Sequence, residues 1–358
     1  MKNAVLMLNN DDVEQVFSVQ ACLDALEQAY IAQANGSAVT RPRTQTYVPL
    51  DEQGVHYCLK SMEGALEASG YMALRITSDI ISELPVNGVP RREKLPRGPG
   101  GTYCGLIFLF SLKELAPVAI IHDGYIQVHR VACTSALSAR LLALPDAGDL
   151  GLLGSAGQAW AHLVAMNVVR KLRRVRVFSP NAERRDIFVQ RARRELGLDV
   201  TSVDSPYAAV DGAEIVVAAT NTSHSIIDGA WLAPGAHVIS IVSGDQKTPR
   251  RELDNETMRR ASIVIAHSKQ VARSLNQRDL SEPIAAGVLS WDRVFDLSEL
   301  VAGRAPGRTS SKDITVFKNN VGLGLQFAAV APMIYGLARK AGIGRELPGE
   351  WFLERMKP

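Results

Sequence analysis

The stretch LGLLGSAGQAWAH, residues 150–162, decides the fold. An apolar run of strand length ends in a glycine turn, and small and apolar residues then continue at helical spacing. Strand, glycine turn and helix N-terminus together make the phosphate-binding corner of a doubly wound α/β sheet. The fingerprint at such a corner is G-x-G-x-x-G/A, and this chain has Gly154-Ser155-Ala156-Gly157-Gln158-Ala159. Gly154 and Ala159 fill the first and third positions, which serve the tight turn and close helix–strand packing. Ala156 adds a methyl at the second, where a pyrophosphate approaches the backbone, and Gly157 beside it gives the loop room to relax. Taken alone the loop also reads as an ordinary strand–helix turn. Its place at the head of a strand–helix series points to a dinucleotide.

That series runs downstream. QAWAHLVAMNVVRKL reads as a helix, RVRVFSP as a strand and AERRDIFVQRARRELG as a helix; VTSV, AEIVVAAT, HVISIVS and ASIVIAHS are further short strands. Apolar strands alternating with helices imply a parallel sheet covered on both faces, so the fold class is α/β, a Rossmann-type doubly wound sheet. Upstream, DDVEQVFSVQACLDALEQAYIAQANG has helical spacing, with Val13, Val16, Cys22, Leu23 and Leu26 on one face and Gly36 as its stop. Strand-like runs follow, TQTYVPL, VHYCLKSM, YMALRITSDII, YCGLIFLFSL and PVAIIHD, so this part is α+β. The proline-, glycine- and arginine-rich segment between the third and fourth of them reads as a long loop, with residues 88–101 a candidate lid. After the strand in DITVFKNN, a long apolar helix is expected to return to the first part. The expected organisation is therefore residues 1–126 and 320–358 as an α+β substrate-binding and dimerisation domain, and 127–319 as the dinucleotide-binding domain.

Composition narrows the class. With 358 residues the chain has room for two domains, and 46% hydrophobic with 22% charged residues is globular. A net charge of +3 gives no global field for nucleic acid or anionic lipid. Four widely spaced cysteines, with no C-x-x-C pair, imply a reduced, cytoplasmic protein and no metal. The apolar start falls short of the roughly 7 residues a signal peptide needs. Gln326 and Pro332 mark the late apolar segment as a buried or interface helix, not a membrane span.

A NAD site wants an acid about 20 residues beyond the loop, on the ribose hydroxyls. Here VRVFSPNAERR offers Ser179, Asn181, Arg184 and Arg185 and no acid at the strand end, which suits a 2′-phosphate. NADP or NAD is expected, with NADP favoured. The alternative is that the arginines only solvate the next helix.

Nearly the whole chain, from RPRT at 41–44 to RKAGIG at 339–344, resembles the ornithine cyclodeaminase/mu-crystallin family. The segments that carry this are VHRVACTSALSARLLALPDAGDLGLLGSAGQA, AEIVVAATNTSHSIIDGAWLAPGAHVISIVSGD, LSELVAGRAPGRTSSKDITVFKN and VGLGLQ. The resemblance implies an NAD(P)-dependent oxidoreductase moving hydride at the α-carbon of an amino or imino acid, and a homodimer. It implies a carboxylate clamp of Arg43 (or Arg41), Arg75 in place of the family's usual lysine, and Arg130. Arginine binds a carboxylate bidentately, and Arg75 is notable for lying inside an apolar strand pattern. Lys60 on a neighbouring strand and Thr102 complete the substrate set. Asp245, just beyond the strand HVISIVS, matches the family's acid/base position; a turn residue is the plainer reading. The cofactor set is Gly154, Ser155, Ala156, Gly157, Gln158, Ser179, Asn181, Arg184 and Thr220. Val131 stands where a threonine is usual and Phe327 where an aspartate is usual; of the departures, Arg75 for lysine and Val131 for threonine alter the pocket that would hold a diamino acid.

Other readings remain at this stage. A cyclodeaminase would release ammonia on ring closure with tightly bound NAD. A non-catalytic, nucleotide-dependent ligand carrier would bind without turnover. RKLRRVR, residues 170–176, raises a nucleic-acid module, but it lacks the interleaved aromatics such a surface uses. No nucleic acid and no membrane are expected as partners.

Overall fold

The computed structural model describes residues 4–84, 92–244, 249–319 and 322–356. By its contacts the chain divides into two units, Met1–Arg130 with Gly322–Pro358, and Val131–Val321.

The first unit opens with β1 (Ala4–Leu8), α1 (Asn10–Val16) and α2 (Val19–Ala34). Where one helix was expected there are two. Phe17 is extended, and Ser18 starts the second helix as its N-cap, accepting from the Ala21 N–H at 3.3 Å. Then come β2 (Ala38–Thr40), β3 (Thr44–Pro49), β4 (Val55–Leu66), β5 (Tyr71–Ser82), β6 (Glu93–Leu95), β7 (Cys104–Ser111) and β8 (Ala116–His122), and α3 (Gly124–Leu142). The proline-rich segment is thus not wholly loop. β7 pairs with β5 only over Tyr71–Ser78, and β6 takes up the edge left open at Ile80–Ser82. The part of the candidate lid before Arg92 lies outside the described residues.

The second unit holds β9 (Asp149–Leu153), α4 (Gly157–Val169), β10 (Arg174–Phe178), α5 (Ala182–Leu196), β11 (Val200–Ser202), α6 (Pro206–Val210), β12 (Ile215–Ala218) and β13 (His237–Ser240). It continues with α7 (Asn255–Arg260), β14 (Ala261–Ala266), α8 (Lys269–Ser274), α9 (Arg278–Ala285), β15 (Val294–Asp296), α10 (Leu297–Val301) and β16 (Ile314–Lys318). These eight strands form one parallel sheet in the order β11-β10-β9-β12-β13-β16-β14-β15. Strand order reverses between β9 and β12, so the glycine turn after β9 stands at the switch point, where such sheets bind ligands. The central strands β12, β13 and β16 are buried throughout, as a sheet covered on both faces requires.

The chain closes with α11 (Gly324–Ala341) and β17 (Arg345–Pro348), both in the first unit. Its described strands form a mixed sheet in the order β17-β1-β8-β7-β5-β4-β2, with β3 on β4 and β6 on β5. Along β4 and β5 alternate residues are buried, which places Cys58, Lys60, Met62, Arg75, Thr77 and Asp79 on one face. Helix α11 starts against the β4 backbone. A Cβ on Gly324 would stand 1.8 Å from the Glu63 carbonyl oxygen, and one on Gly64 2.4 Å from the Gly324 carbonyl carbon. Two glycines at this crossing let helix and strand meet backbone to backbone, which sets Gln326 and Phe327 over the sheet. No described helix is long and apolar enough to cross a membrane.

Candidate active site

In the first unit, three basic side chains converge. Arg75 is 4% exposed; its Nε and Nη2 donate to Asp123 Oδ2 at 2.9 and 2.5 Å, and Nη2 reaches Gln127 Oε1 at 3.3 Å. Arg130, 5% exposed, donates from Nη1 to Gln326 Oε1 at 2.5 Å. Asp123, Gln127 and Arg130 lie at i, i+4 and i+7 around the start of α3, on one helical face. The Phe327 ring lies 5.2 Å from the Arg75 guanidinium and 5.3 Å from that of Arg130. Burial, and next the Arg75 charge, push Arg130 below the usual arginine range; Asp123 opposes this and Arg43 adds to it. Arg43 is thus close enough to be felt by Arg130, and its Cδ is 3.7 Å from a Cβ built on Gly322. Arg41 instead turns to solvent beside Glu63, 3.7 Å away. Two buried arginines and one half-buried arginine thus gather at this face, and a carboxylate is the ligand group whose geometry suits paired guanidiniums.

A second group lies further along the same face. Lys60 Nζ pairs with Asp79 Oδ2 at 2.8 Å, Thr77 Oγ1 donates to that same oxygen at 3.1 Å, and Lys94 of β6 pairs with Asp79 Oδ1 at 2.9 Å. Burial pushes the Lys60 ammonium down to about 8 against the pull of Asp79, with Lys94 and Arg92 adding to the fall. Thr102 is placed differently. It is exposed, its hydroxyl donates to the Pro99 carbonyl at 2.9 Å within a turn, and no described contact ties it to the arginines.

In the second unit, Gly154 takes φ +122°, and a Cβ there would stand 2.3 Å from the Ala219 carbonyl oxygen. Only glycine fits, and the Gly154 N–H donates to the Phe178 carbonyl at 2.8 Å. Ala156 is the N-cap of α4 and offers no side-chain acceptor, so the first amides of the helix have no side-chain cap. A Cβ on Gly157 would meet nothing within 4 Å, while Ala159 is fully buried against the sheet. An uncapped helix start behind open space suits a phosphate, and Ala156 does not close it. Ser155 Oγ donates to Ser179 Oγ at 2.9 Å, joining the turn to the end of β10. Gln158 opens the helix and gives its carbonyl to His162 Nδ1 at 2.7 Å. Asn181 caps α5, accepting from the Arg184 N–H at 2.8 Å, and Arg184 is exposed. Arg185 has a structural role, with Nη1 on the Ser179 carbonyl at 2.8 Å, Nε on Ser202 Oγ at 2.6 Å and Nη2 on Asp204 at 2.9 Å.

Thr220 is held by a group that sequence reasoning missed. Its N–H and hydroxyl both donate to Glu252 Oε1 at 2.8 Å. Glu252 Oε2 accepts the N–H groups of Ile241 and Val242 at 2.9 and 2.8 Å. Asp279 accepts the Glu252 and Leu253 N–H groups and pairs with Lys318 Nζ at 2.8 Å. Ser240 Oγ lies between, 2.9 Å from Glu252 and 2.6 Å from Asp279. Burial pushes the Glu252 carboxyl up, with Lys318 opposing. The one sequence signal was a lysine, Lys318, closing the apolar run ITVF, where a side chain must be buried. This network straps together the segments beyond β12 and β13, and Gln277 Nε2 holds the Gly244 carbonyl at 2.8 Å. Asp245, the next residue, lies outside the described residues. The basic run 170–176 is tied internally: Arg173 pairs with Glu214, Arg174 with Asp149, and Arg170 donates to the carbonyls of Ala139, Arg140, Ala143 and Leu144. Among the described residues no cluster could hold a metal ion.

A doubly wound parallel sheet with a glycine turn at its switch point defines a dinucleotide-binding class of fold, and the same chain carries an α+β unit with buried arginines. The family model for the ornithine cyclodeaminase/mu-crystallin family matches residues 3–342, and the chain belongs to that family. A solved structure of Δ1-pyrroline-2-carboxylate reductase from Thermococcus litoralis, in complex with NADH and L-proline, is 26% identical with a TM-score of 0.82. It aligns over 96% of this chain and 100% of its own. A probable ornithine cyclodeaminase from Bordetella pertussis Tohama I is 27% identical with a TM-score of 0.79, over 95% of this chain and 99% of its own. A Δ1-pyrroline-2-carboxylate reductase of Paracoccus denitrificans is 32% identical over 62% of this chain and 69% of its own.

Proposed function

We propose that the protein is an NAD(P)-dependent reductase of imino acids, or, in reverse, an amino-acid dehydrogenase, working as a homodimer. The observation that carries this is the convergence of Arg75 and Arg130, both buried, with half-buried Arg43, a set of guanidiniums that suits the α-carboxylate of an amino or imino acid. Asp123 and Gln127 fix the Arg75 fork, and Gln326 fixes Arg130, so both guanidinium planes are set before a ligand arrives. Lys60 belongs to the same face. When bound, the dinucleotide supplies or accepts the hydride at the α-carbon. Gly154, Ser155, Ala156, Gly157 and Gln158 would hold its pyrophosphate, and Ser179, Asn181 and Arg184 its adenosine ribose. Thr220 supports that corner through Glu252. Asp245 gives a proton to the substrate nitrogen as the C=N bond becomes C–N, and takes it back in reverse. Reduction thus adds one hydride to the α-carbon and one proton to the substrate nitrogen.

NADPH is proposed as the preferred cofactor, because Ser179 follows β10 with no acid there and Arg184, in the first turn of α5, is exposed. Fluorescence titration with NADPH and NADH checks this; equal or tighter NADH binding refutes it. For the reaction, purified protein with either cofactor is offered linear and cyclic imino acids and absorbance at the nicotinamide band is followed. Cofactor oxidation with an imino acid supports the proposal. Ammonia and a cyclic amino acid appearing together from a diamino acid, with only catalytic NAD⁺ present, would establish a cyclodeaminase instead. Binding without turnover of any such substrate would leave a carrier.

A further inference from the structure

The second charged group on the β4/β5 face lies one step beyond the arginines. Met62 is opposite Arg75 in the ladder, Lys60 opposite Thr77, and Cys58 opposite Asp79. All six side chains share the covered face, so the Lys60 row is displaced from the Arg75 row by two residues, about 6.8 Å. We propose that Lys60, seconded by Lys94, binds a second carboxylate on the substrate, and that the protein acts on short imino dicarboxylic acids of the length of aspartate or glutamate. This rests on the imino-acid reading above and adds the chemistry of the substrate's side chain.

Donor and charge counts carry the argument. Lys60 is 5% exposed and has three N–H donors; among the described residues its hydrogen-bond partner is Asp79 alone. The Asp79 carboxylate is already shared by two lysines and Thr77. A buried ammonium with donors to spare is a costly arrangement unless an anion completes it. Burial has accordingly lowered the Lys60 affinity for its proton, which an incoming carboxylate would restore. The same group disfavours a diamino acid. A distal ammonium would meet Lys60 and Lys94, two like charges that already share the single Asp79 carboxylate. Phe327, lying against both arginines, gives the intervening carbon chain an apolar wall.

Two measurements test this. In the first, turnover of imines formed from ammonia with oxaloacetate or 2-oxoglutarate is compared with that of pyruvate imine and Δ1-pyrroline-2-carboxylate. The dicarboxylic imines should lead by about tenfold or more in kcat/KM, the value of one charge-assisted hydrogen bond. Lys60→Met should remove that lead by lowering kcat/KM for the dicarboxylic imines more than for the monocarboxylic ones, and Lys60→Arg should restore part of it. A lead for monocarboxylic imines, or equal loss on both classes in Lys60→Met, overturns the proposal. In the second, which needs no turnover and no variant, calorimetry compares L-aspartate and L-glutamate with L-alanine on the cofactor-loaded protein. Equal affinities overturn the proposal. Inactivity toward every imine alongside tight L-glutamate or L-aspartate binding instead overturns the reductase reading and leaves the second carboxylate site standing.

Discussion

Replacing Gly154 tests the corner on which cofactor binding depends. The residue sits at φ +122°, where an L side chain costs about 1–3 kcal/mol. Its new Cβ would also stand 2.3 Å from the Ala219 carbonyl oxygen. Because that atom is backbone at the end of β12, the turn itself must retreat by about 0.7 Å to reach even 3.0 Å. Crowding of this kind costs about 1–3 kcal/mol more. Gly154→Val should therefore lose about 2–6 kcal/mol of stability, read as a lower urea midpoint at unchanged slope. The displaced turn also misplaces the first amides of α4. Losing one amide–phosphate bond is worth about 1.5–3 kcal/mol, roughly 10- to 150-fold in cofactor affinity. Gly157→Leu is the partner experiment. Its Cβ meets nothing within 4 Å, so the urea midpoint should hold while dinucleotide affinity falls, because the open space is where the pyrophosphate comes. Fluorescence titration reads both variants. Cofactor affinity within about threefold of the native protein in both would refute the assignment of this corner.

Arg130→Met should raise KM roughly 10- to 150-fold, the worth of a charged hydrogen bond, and leave cofactor affinity alone; a fall in cofactor affinity instead would place Arg130 in the phosphate site. Asp245→Asn should keep cofactor binding and lower turnover by about 10²-fold or more, as single-turnover absorbance would show. His237 gives a pH dependence of stability. Its ring is fully buried between Thr315 Oγ1 at 2.8 Å and Ser138 Oγ at 3.1 Å, and burial, then the Arg308 and Arg170 charges, push it down to about 3. Below its ordinary value of 6.5 the unfolded chain takes up a proton that the native state refuses. Stability should thus fall by up to about 1.4 kcal/mol per pH unit from pH 6.5 toward 3. His237→Gln, unfolded in urea across that range, should lose this part of the slope.

The parallel sheet was legible because its strands are apolar on both faces. Leu150–Leu153 and Ile215–Ala218 read as apolar runs bounded by glycine or charge, while β10 alternates around Arg176. Strands at edges were harder. β17, Arg-Glu-Leu-Pro, has no apolar pattern, and β6 hides among prolines because it only completes the β5 edge. For the arginines, Arg75 stood out inside an apolar alternation. Its partner Asp123 did not, since an aspartate before a helix reads as a cap. Thr220 belonged to the expected cofactor set, but a side chain's partner is not written in its own segment. Glu252 reaches it from 32 residues later in the chain. Long-range pairs of this kind are what a single sequence hides.

The position of β16 bears on how the chain is made. It lies between β13 and β14, yet it is the last of the eight strands to be synthesised. Until Ile314–Lys318 leaves the ribosome, β13 and β14 present unpaired backbone edges, and Asp279 and Glu252 lack their lysine. The first unit waits longer still, since α11 covers the β4/β5 face and is made near the end. Folding of both units is thus tied to the C-terminal segment, with exposed strand edges and apolar faces on the nascent chain meanwhile, the features that slow folding and recruit chaperones. A stop codon shortly before Ile314 should therefore yield an aggregating chain, not a smaller, active one.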